Sequence, residues 1–147
     1  MYRHILVPSD GSELSMAAAR AAVALARDTG ARITAFHVKP PYPESFYDDG
    51  APSGPAKPER FAGLVDRHAK RILDSVLDLC RKAGVPADSR TATSDAPYQA
   101  IIDAANKAGC DLIFMASHGR SGVKALFLGS ETYKVLSSSK IPVLVYR

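Results

Sequence analysis

Two short stretches carry the residues best suited to chemistry. The first is Pro8-Ser9-Asp10-Gly11-Ser12, where Gly11 permits an unusual backbone conformation and Ser9, Asp10 and Ser12 offer polar groups at a helix start. The second is Ala116-Ser117-His118-Gly119-Arg120-Ser121-Gly122, closed further on by Gly129-Ser130 and followed by Glu131. Glycines let backbone N–H groups approach a phosphate with no Cβ in the way. A helix N-terminus adds unpaired donors and partial positive charge. Arg120 could add a cation or a fork of donors, and the loop-borne His118 could hydrogen-bond a phosphate. Glu131 argues the other way, since a carboxylate pointing inward repels an anion. Spacing alone leaves a plain turn and helix cap as the alternative.

The elements that must position these loops follow from periodicity. Ile5–Val7, Ile33–Val38, Leu112–Ala116 and Ile141–Val145 are short apolar runs of strand character, and Ala87–Thr93 is a more polar run suited to a sheet edge. Leu14, Ala18, Ala21 and Leu25 recur at helical steps, so 12–28 reads as an Ala-rich, closely packing helix capped by Asp10 or Ser12. Phe61, Leu64, Val65, His68, Ile72, Val76 and Leu79 repeat helically up to Gly84, giving the longest helix. Pro97–Lys107 and a segment from about Ser130 through Leu136 supply two more. The alternation βαβαβαβαβ predicts one α/β domain over 1–147, with a mostly parallel sheet and helices on both faces. In such sheets ligands bind beyond the carboxyl ends of the strands, where the strand order reverses. Residues 40–58 break the rhythm with six of the ten prolines. They read as an irregular insertion, either a surface loop or a flap over a ligand with Tyr42, Phe46 and Tyr47 to dock it.

Composition closes several routes. At 147 residues, 46% hydrophobic and 23% charged, the chain has the makeup of an average globular protein. No apolar run approaches the roughly 20 residues of a membrane span, and the start is too short before Pro8 and Asp10 for a signal-peptide core, so a cytoplasmic protein is expected. Cys80 and Cys110 lack metal-ligand spacing and read as buried thiols. Neither Gly-x-x-x-x-Gly-Lys-[Ser/Thr] nor Gly-x-Gly-x-x-Gly occurs after a strand. Ser117, His118 and Asp10 are the only tempting hydrolase trio, but adjacent residues seldom aim at one point and no Gly-x-Ser-x-Gly elbow exists. His4, His37 and His68 fall in strands or on a helix face and read as packed side chains, so no protein metal site is expected. The net charge is +4, and the basic residues that crowd the longest helix, Arg60, Arg67, Lys70, Arg71, Arg81 and Lys82, are interleaved with Asp66, Asp74 and Asp78. Asp66–Lys70, Arg71–Asp74 and Asp78–Lys82 fall at ion-pair spacing, as on a solvated face and not on a nucleic-acid patch.

With these residues in view, the chain resembles the universal stress protein family over essentially its whole length. The resemblance rests on Ile5-Leu6-Val7-Pro8-Ser9-Asp10-Gly11-Ser12, on Asp111-Leu112-Ile113-Phe114-Met115-Ala116-Ser117-His118-Gly119, on Leu128-Gly129-Ser130 and on the ending Ile141-Pro142-Val143-Leu144-Val145. That family's ATP-binding branch has Gly, two residues, Gly, nine residues, then Gly followed by Ser or Thr. Gly119, Gly129 and Ser130 match this pattern, while Ala116 stands at the first glycine, where a β-like conformation tolerates a methyl group.

The resemblance implies a Rossmann-like, adenine nucleotide alpha hydrolase-like sheet of order 3-2-1-4-5, with an adenine nucleotide across the ends of strands one and four. It implies Pro8, Ser9 and Asp10 on the adenosine side, Asp10 near the ribose or a nucleotide-bound metal, and the Val38 main chain at the adenine edge. Met115 and Ala116 would line the nucleoside, and Gly119, Arg120, Ser121, Gly122, Gly129 and Ser130 would hold the phosphates. The function so implied is a stress-response or signalling module binding ATP with Mg or Mn; the motif does not separate ATP from AMP. It is not expected to be an enzyme. The alternatives are a nucleotide-free dimeric scaffold of the same fold and a slow ATPase. The apolar last strand, with Pro142 near its start, reads as an edge that pairs with a second copy in a homodimer.

Overall fold

The computed structural model describes residues 1–43, 57–119 and 128–147. Along the chain these form β1 (His4–Pro8), α1 (Glu13–Thr29), β2 (Arg32–Lys39), α2 (Pro58–Ala83), β3 (Ala87–Thr93), α3 (Pro97–Ala108), β4 (Leu112–Ala116), α4 (Ser130–Ser138) and β5 (Val143–Tyr146). Every expected element is present. The strands lie in the order β3-β2-β1-β4-β5 and every pairing is parallel. The sheet is the Rossmann-like arrangement implied above, with the polar β3 and the apolar β5 at its edges. The order reverses between β1 and β4, whose register sets Ile5 against Leu112 and Leu6 against Ile113.

Strand alternation divides the core into two layers. Ile5, Val7, Ile33, Ala35, Leu112 and Phe114 pack with Ala18, Ala22 and Ala26 of α1 and with Leu73, Val76 and Cys80 of α2. Leu6, Phe36, Ile113 and Met115 point the other way, onto Ile101 and Ala105 of α3 and Val135 of α4. Ala18, Ala19, Ala22 and Ala26 of α1 are fully buried, which brings that helix close to the sheet. Its first turn is capped as the sequence predicts, with the Ser12 side chain accepting from the Ser15 N–H at 3.2 Å. Cys80 and Cys110 are buried free thiols, and burial pushes both up to about 11.

Some expectations change. The insertion at 40–58 is shorter than expected at its far end, because Pro58 is the first residue of α2, where its missing N–H costs nothing. Tyr42 stacks edge-on against Phe61 of α2 with ring centroids 5.3 Å apart. Phe46 and Tyr47 lie outside the described residues. The ion pairs on α2 differ as well. Asp66 pairs with Lys39 at the end of β2 (3.0 Å) and not with Lys70, because α2 packs over β2 and presents Asp66 to that strand end. Lys70 instead pairs with Asp74 one turn on, in place of Arg71, while Asp78 pairs with Lys82 as expected and also with Arg81.

The start of the chain is tied to β4 by Asp111, whose carboxylate accepts the main-chain N–H groups of Arg3 and His4 at 2.9 to 3.2 Å. Burial works to raise this carboxyl's pKa, but the hydrogen bonds from His4 and Arg3 outweigh it, and the net value lies below the ordinary 3.8. A carboxyl whose pKa is depressed on folding contributes stability above its unfolded pKa and loses it as the pH falls through the folded value. Asp111→Asn is therefore expected to be less stable than the parent at pH 7, with the gap closing below about pH 4. Urea midpoints measured at both pH values check this; a gap independent of pH would contradict it.

Candidate functional site

A cavity of about 460 Å³ opens beyond the carboxyl ends of β1, β2 and β4, at the point where the strand order reverses. That volume falls in the range of small-molecule sites. Three connections shape its floor. The Ser9 N–H donates to the Phe36 carbonyl (2.9 Å), extending the β1–β2 ladder by one residue before the chain turns. The turn is then closed by side chains: the Ser12 N–H reaches Asp10 Oδ1 at 2.9 Å, and the Gly11 N–H reaches Ser9 Oγ at 3.2 Å. Gly11 has φ +80°, the left-handed conformation that glycine adopts without penalty.

On the β4 side, the Gly129 N–H donates to the Ser117 carbonyl at 2.7 Å, and buried Thr132 Oγ1 donates to the Ala116 carbonyl at 3.0 Å. These two bonds fix the N-terminus of α4 beside the end of β4. Gly119 and Gly129 both stand where a side chain would collide. A Cβ on Gly119 would fall 2.3 Å from Asp10 Oδ2, and one on Gly129 would fall 3.0 Å from the Ser117 carbonyl oxygen and 3.1 Å from His118 Cα. Gly129 has an ordinary extended backbone, φ −62° and ψ 149°, so close approach and not backbone freedom is what requires glycine there. Ala116 is a strand residue, the conformation that tolerates its methyl group.

Of the residues the sequence singled out, Pro8, Ser9, Asp10, Val38, Met115, Ala116, His118, Gly119, Gly129, Ser130 and Glu131 line this cavity. Ser117 is not among them. Its N–H donates to Tyr146 and its carbonyl accepts from Gly129, which holds it at 5% exposure between β5 and α4. Arg120, Ser121 and Gly122 lie outside the described residues. His118 Nδ1 lies 3.2 Å from Ser117 Oγ. Glu131 faces the cavity, but its Oε2 accepts the Tyr98 N–H at 2.8 Å, so the carboxylate caps α3.

The structure adds lining residues that sequence reasoning passed over, chiefly Ser15, Phe36, His37, His68, Ile101 and Thr132. His37 and His68 are the main correction. Both are packed, as expected, with ring centroids 5.9 Å apart and nearly perpendicular, yet both stand in the cavity wall. His37 Nδ1 lies 2.8 Å from the Ser9 carbonyl; a carbonyl only accepts, so Nδ1 carries the hydrogen and ties the end of β2 to the β1–α1 turn. Its Nε2 is buried with no hydrogen-bond partner among the described residues. The available signal was position: a polar residue at the carboxyl end of a strand adjoining the reversal point.

Pro8, Phe36, Val38, Ile101 and Met115 give the cavity apolar walls, while Asp10, Gly119, Gly129 and Ser130 form a polar rim at a helix N-terminus. Such a space suits a flat apolar body joined to an anion. Among the described residues no cluster of three or more His, Cys, Asp or Glu forms a metal cage, and no helix is long and apolar enough to cross a membrane.

The model of the universal stress protein family matches residues 1–147. A universal stress protein of Thermus aquaticus is 32% identical over 147 residues, covering all of both chains. The solved structure of MJ0577, a universal stress protein of Methanocaldococcus jannaschii, superposes with a TM-score of 0.79 at 26% identity, covering 99% of this chain and 96% of that one. Two further structures share the fold. One is a universal stress protein in complex with cAMP (TM-score 0.72, 23% identity, covering 99% and 97%). The other is the universal stress protein of Archaeoglobus fulgidus in complex with dAMP (TM-score 0.67, 21% identity, covering 99% and 98%).

Proposed function

Because the chain belongs to the universal stress protein family, we propose that it is an adenine-nucleotide-binding module of stress response or signalling, taking ATP together with Mg or Mn. The observation that carries this reading is geometric. The β1 and β4 loops, far apart in sequence, close on one cavity so tightly that Gly119 leaves no room for a Cβ beside Asp10. The relatives solved with cAMP and dAMP support an adenine nucleotide as the occupant.

In this reading the Val38 main chain meets the adenine edge, with Phe36, Ile101 and Met115 packing the nucleoside. The α4 N-terminus, with the N–H groups around Gly129 and Ser130, receives the phosphates. Asp10 stands where it can meet the ribose or a nucleotide-bound cation. A divalent cation would be held by the nucleotide's phosphates, with Asp10 as the carboxylate within its reach. The module binds and reports; turnover is slow at most.

Calorimetric titration of the nucleotide-stripped protein with Mg-ATP and Mg-GTP tests the proposal. ATP binding at least about tenfold tighter than GTP is expected, a difference of ~1.4 kcal/mol. No heat from a folded protein would move the chain to the nucleotide-free alternative, and steady phosphate release would move it to the slow ATPase.

The assembly proposed is a homodimer through β5. Among the described residues that strand pairs with β4 alone, and its Leu144 is an exposed apolar side chain. Sedimentation at micromolar concentration is expected to give a dimer that Leu144→Lys converts to a monomer. A parent monomer, or a dimer indifferent to that substitution, would contradict the β5 interface.

A further inference from the structure

Main-chain groups of β2 alternate in direction. The Arg32 N–H donates to the Arg3 carbonyl and the Phe36 carbonyl accepts from the Ser9 N–H, both toward β1. The Ile33 N–H donates to the Pro86 carbonyl and the Lys39 carbonyl accepts from the Ser94 N–H, both toward the β3 side. Val38, an even-numbered residue, therefore turns its N–H and C=O toward β1. One more rung of the parallel ladder would join the Val38 N–H to the Ser9 carbonyl. The pairing instead ends with Pro8 opposite Phe36, and among the described residues no main-chain bond reaches the Ser9 carbonyl from Val38.

The Ser9 carbonyl is taken by a side chain instead. His37, the residue directly before Val38, donates its Nδ1–H to that oxygen at 2.8 Å. The ring is 6% exposed, and its Nε2 is buried with no hydrogen-bond partner among the described residues. An apolar side chain would not carry the cost of that orphaned acceptor, so stability alone does not account for a histidine here. What the ring does is local. It satisfies the Ser9 carbonyl and leaves the Val38 main chain with a donor and an acceptor at the end of β2, where Val38 lines the cavity.

We propose that His37 is a positioning residue for base recognition: by capping the Ser9 carbonyl it keeps the β1–β2 ladder from closing one rung further, so that the Val38 N–H and C=O meet the ligand as an adjacent donor and acceptor. The inference rests on the adenine-nucleotide reading above and adds to it the device that holds the base-reading edge open. Adenine carries the matching pattern, with N1 accepting and the 6-amino group donating. Hypoxanthine carries the reverse, an N1–H donor and a 6-oxo acceptor, which sets donor against donor and acceptor against acceptor.

Amide hydrogen exchange read by NMR, together with AMP and IMP titrations of the nucleotide-stripped protein, tests this in the parent, His37→Leu and His37→Asn. Leucine removes the donor, while asparagine keeps an N–H on the atom after Cγ, where Nδ1 stands in histidine. In the parent the Val38 amide is expected to exchange readily without ligand and at least about tenfold more slowly with AMP bound. AMP is expected to bind at least about tenfold more tightly than IMP. In His37→Leu the Val38 N–H turns to the vacated Ser9 carbonyl, so its exchange should be slow without ligand and the AMP preference should fall below about threefold. His37→Asn should behave as the parent. Thermal melts follow the fold separately, and the parent's Val38 exchange decides the matter if His37→Leu does not fold. If AMP binds but the Val38 amide is already slow in the free parent, or folded His37→Leu keeps the preference, or His37→Asn loses it as fully as His37→Leu, the inference is overturned and the nucleotide reading stands. If neither AMP nor ATP binds the folded parent, both are overturned.

Discussion

Gly119→Val is expected to weaken nucleotide binding by at least about 100-fold while leaving the fold intact, a loss of ~2.7 kcal/mol. A Cβ at this position would sit 2.3 Å from Asp10 Oδ2 and 3.3 Å from Asp10 Cγ, so either the Asp10 side chain or the β4 loop must move. Moving Asp10 breaks its bond to the Ser12 N–H and opens the turn that leads into α1. Moving the loop shifts Gly119 away from α4. Both ends of the proposed phosphate cradle depend on this one approach, and for that reason the added side chain acts on binding far more than on stability. Gly129→Val is the companion variant. There the obstruction is backbone, the Ser117 carbonyl and His118 Cα, which cannot rotate aside as a side chain can. Calorimetry with Mg-ATP, alongside thermal melts to verify folding, reads both. Affinity unchanged in folded Gly119→Val would remove the nucleotide from the β1–β4 crevice.

Ile113→Ala is expected to cost about 2–5 kcal/mol, a large share of the ~5–15 kcal/mol that holds a domain of this size together. Ile113 is fully buried on β4, with Leu6 of β1 on one side, Val143 of β5 on the other and the α3–α4 layer above it. Its neighbours come from four other elements, so none can collapse into the space without disturbing another. The melting temperature should fall by roughly 4–20 °C, at about 2–4 °C per kcal/mol. Leu144→Ala in monomeric protein is the control. Leu144 is 37% exposed on the edge strand, and its loss should cost under about 1 kcal/mol. Urea unfolding of the two variants distinguishes them, and equal losses would contradict the burial assigned to Ile113.

The periodicities of the chain determined its elements and the faces they bury. The runs at Ile5, Ile33 and Leu112 became the three central strands, and the polar run at Ala87 and the apolar one before Tyr146 took the edges. Ser12 capped α1. All of this follows from helix pitch, strand alternation and helix capping, which are local properties of consecutive residues.

Only the tertiary structure decided which distant groups share a site. It turned Ser117 away from the cavity between β5 and α4, although its neighbours on both sides line it. It brought His37 and His68 together in the cavity wall from β2 and α2. Asp66 went to Lys39 in place of Lys70, and Glu131 became the cap of α3. Each of these pairs is set by sheet order and by where a helix crosses the sheet. Sequence separation carries no trace of either, because hydrogen bonds and ion pairs act over a few ångströms of space whatever length of chain lies between their partners.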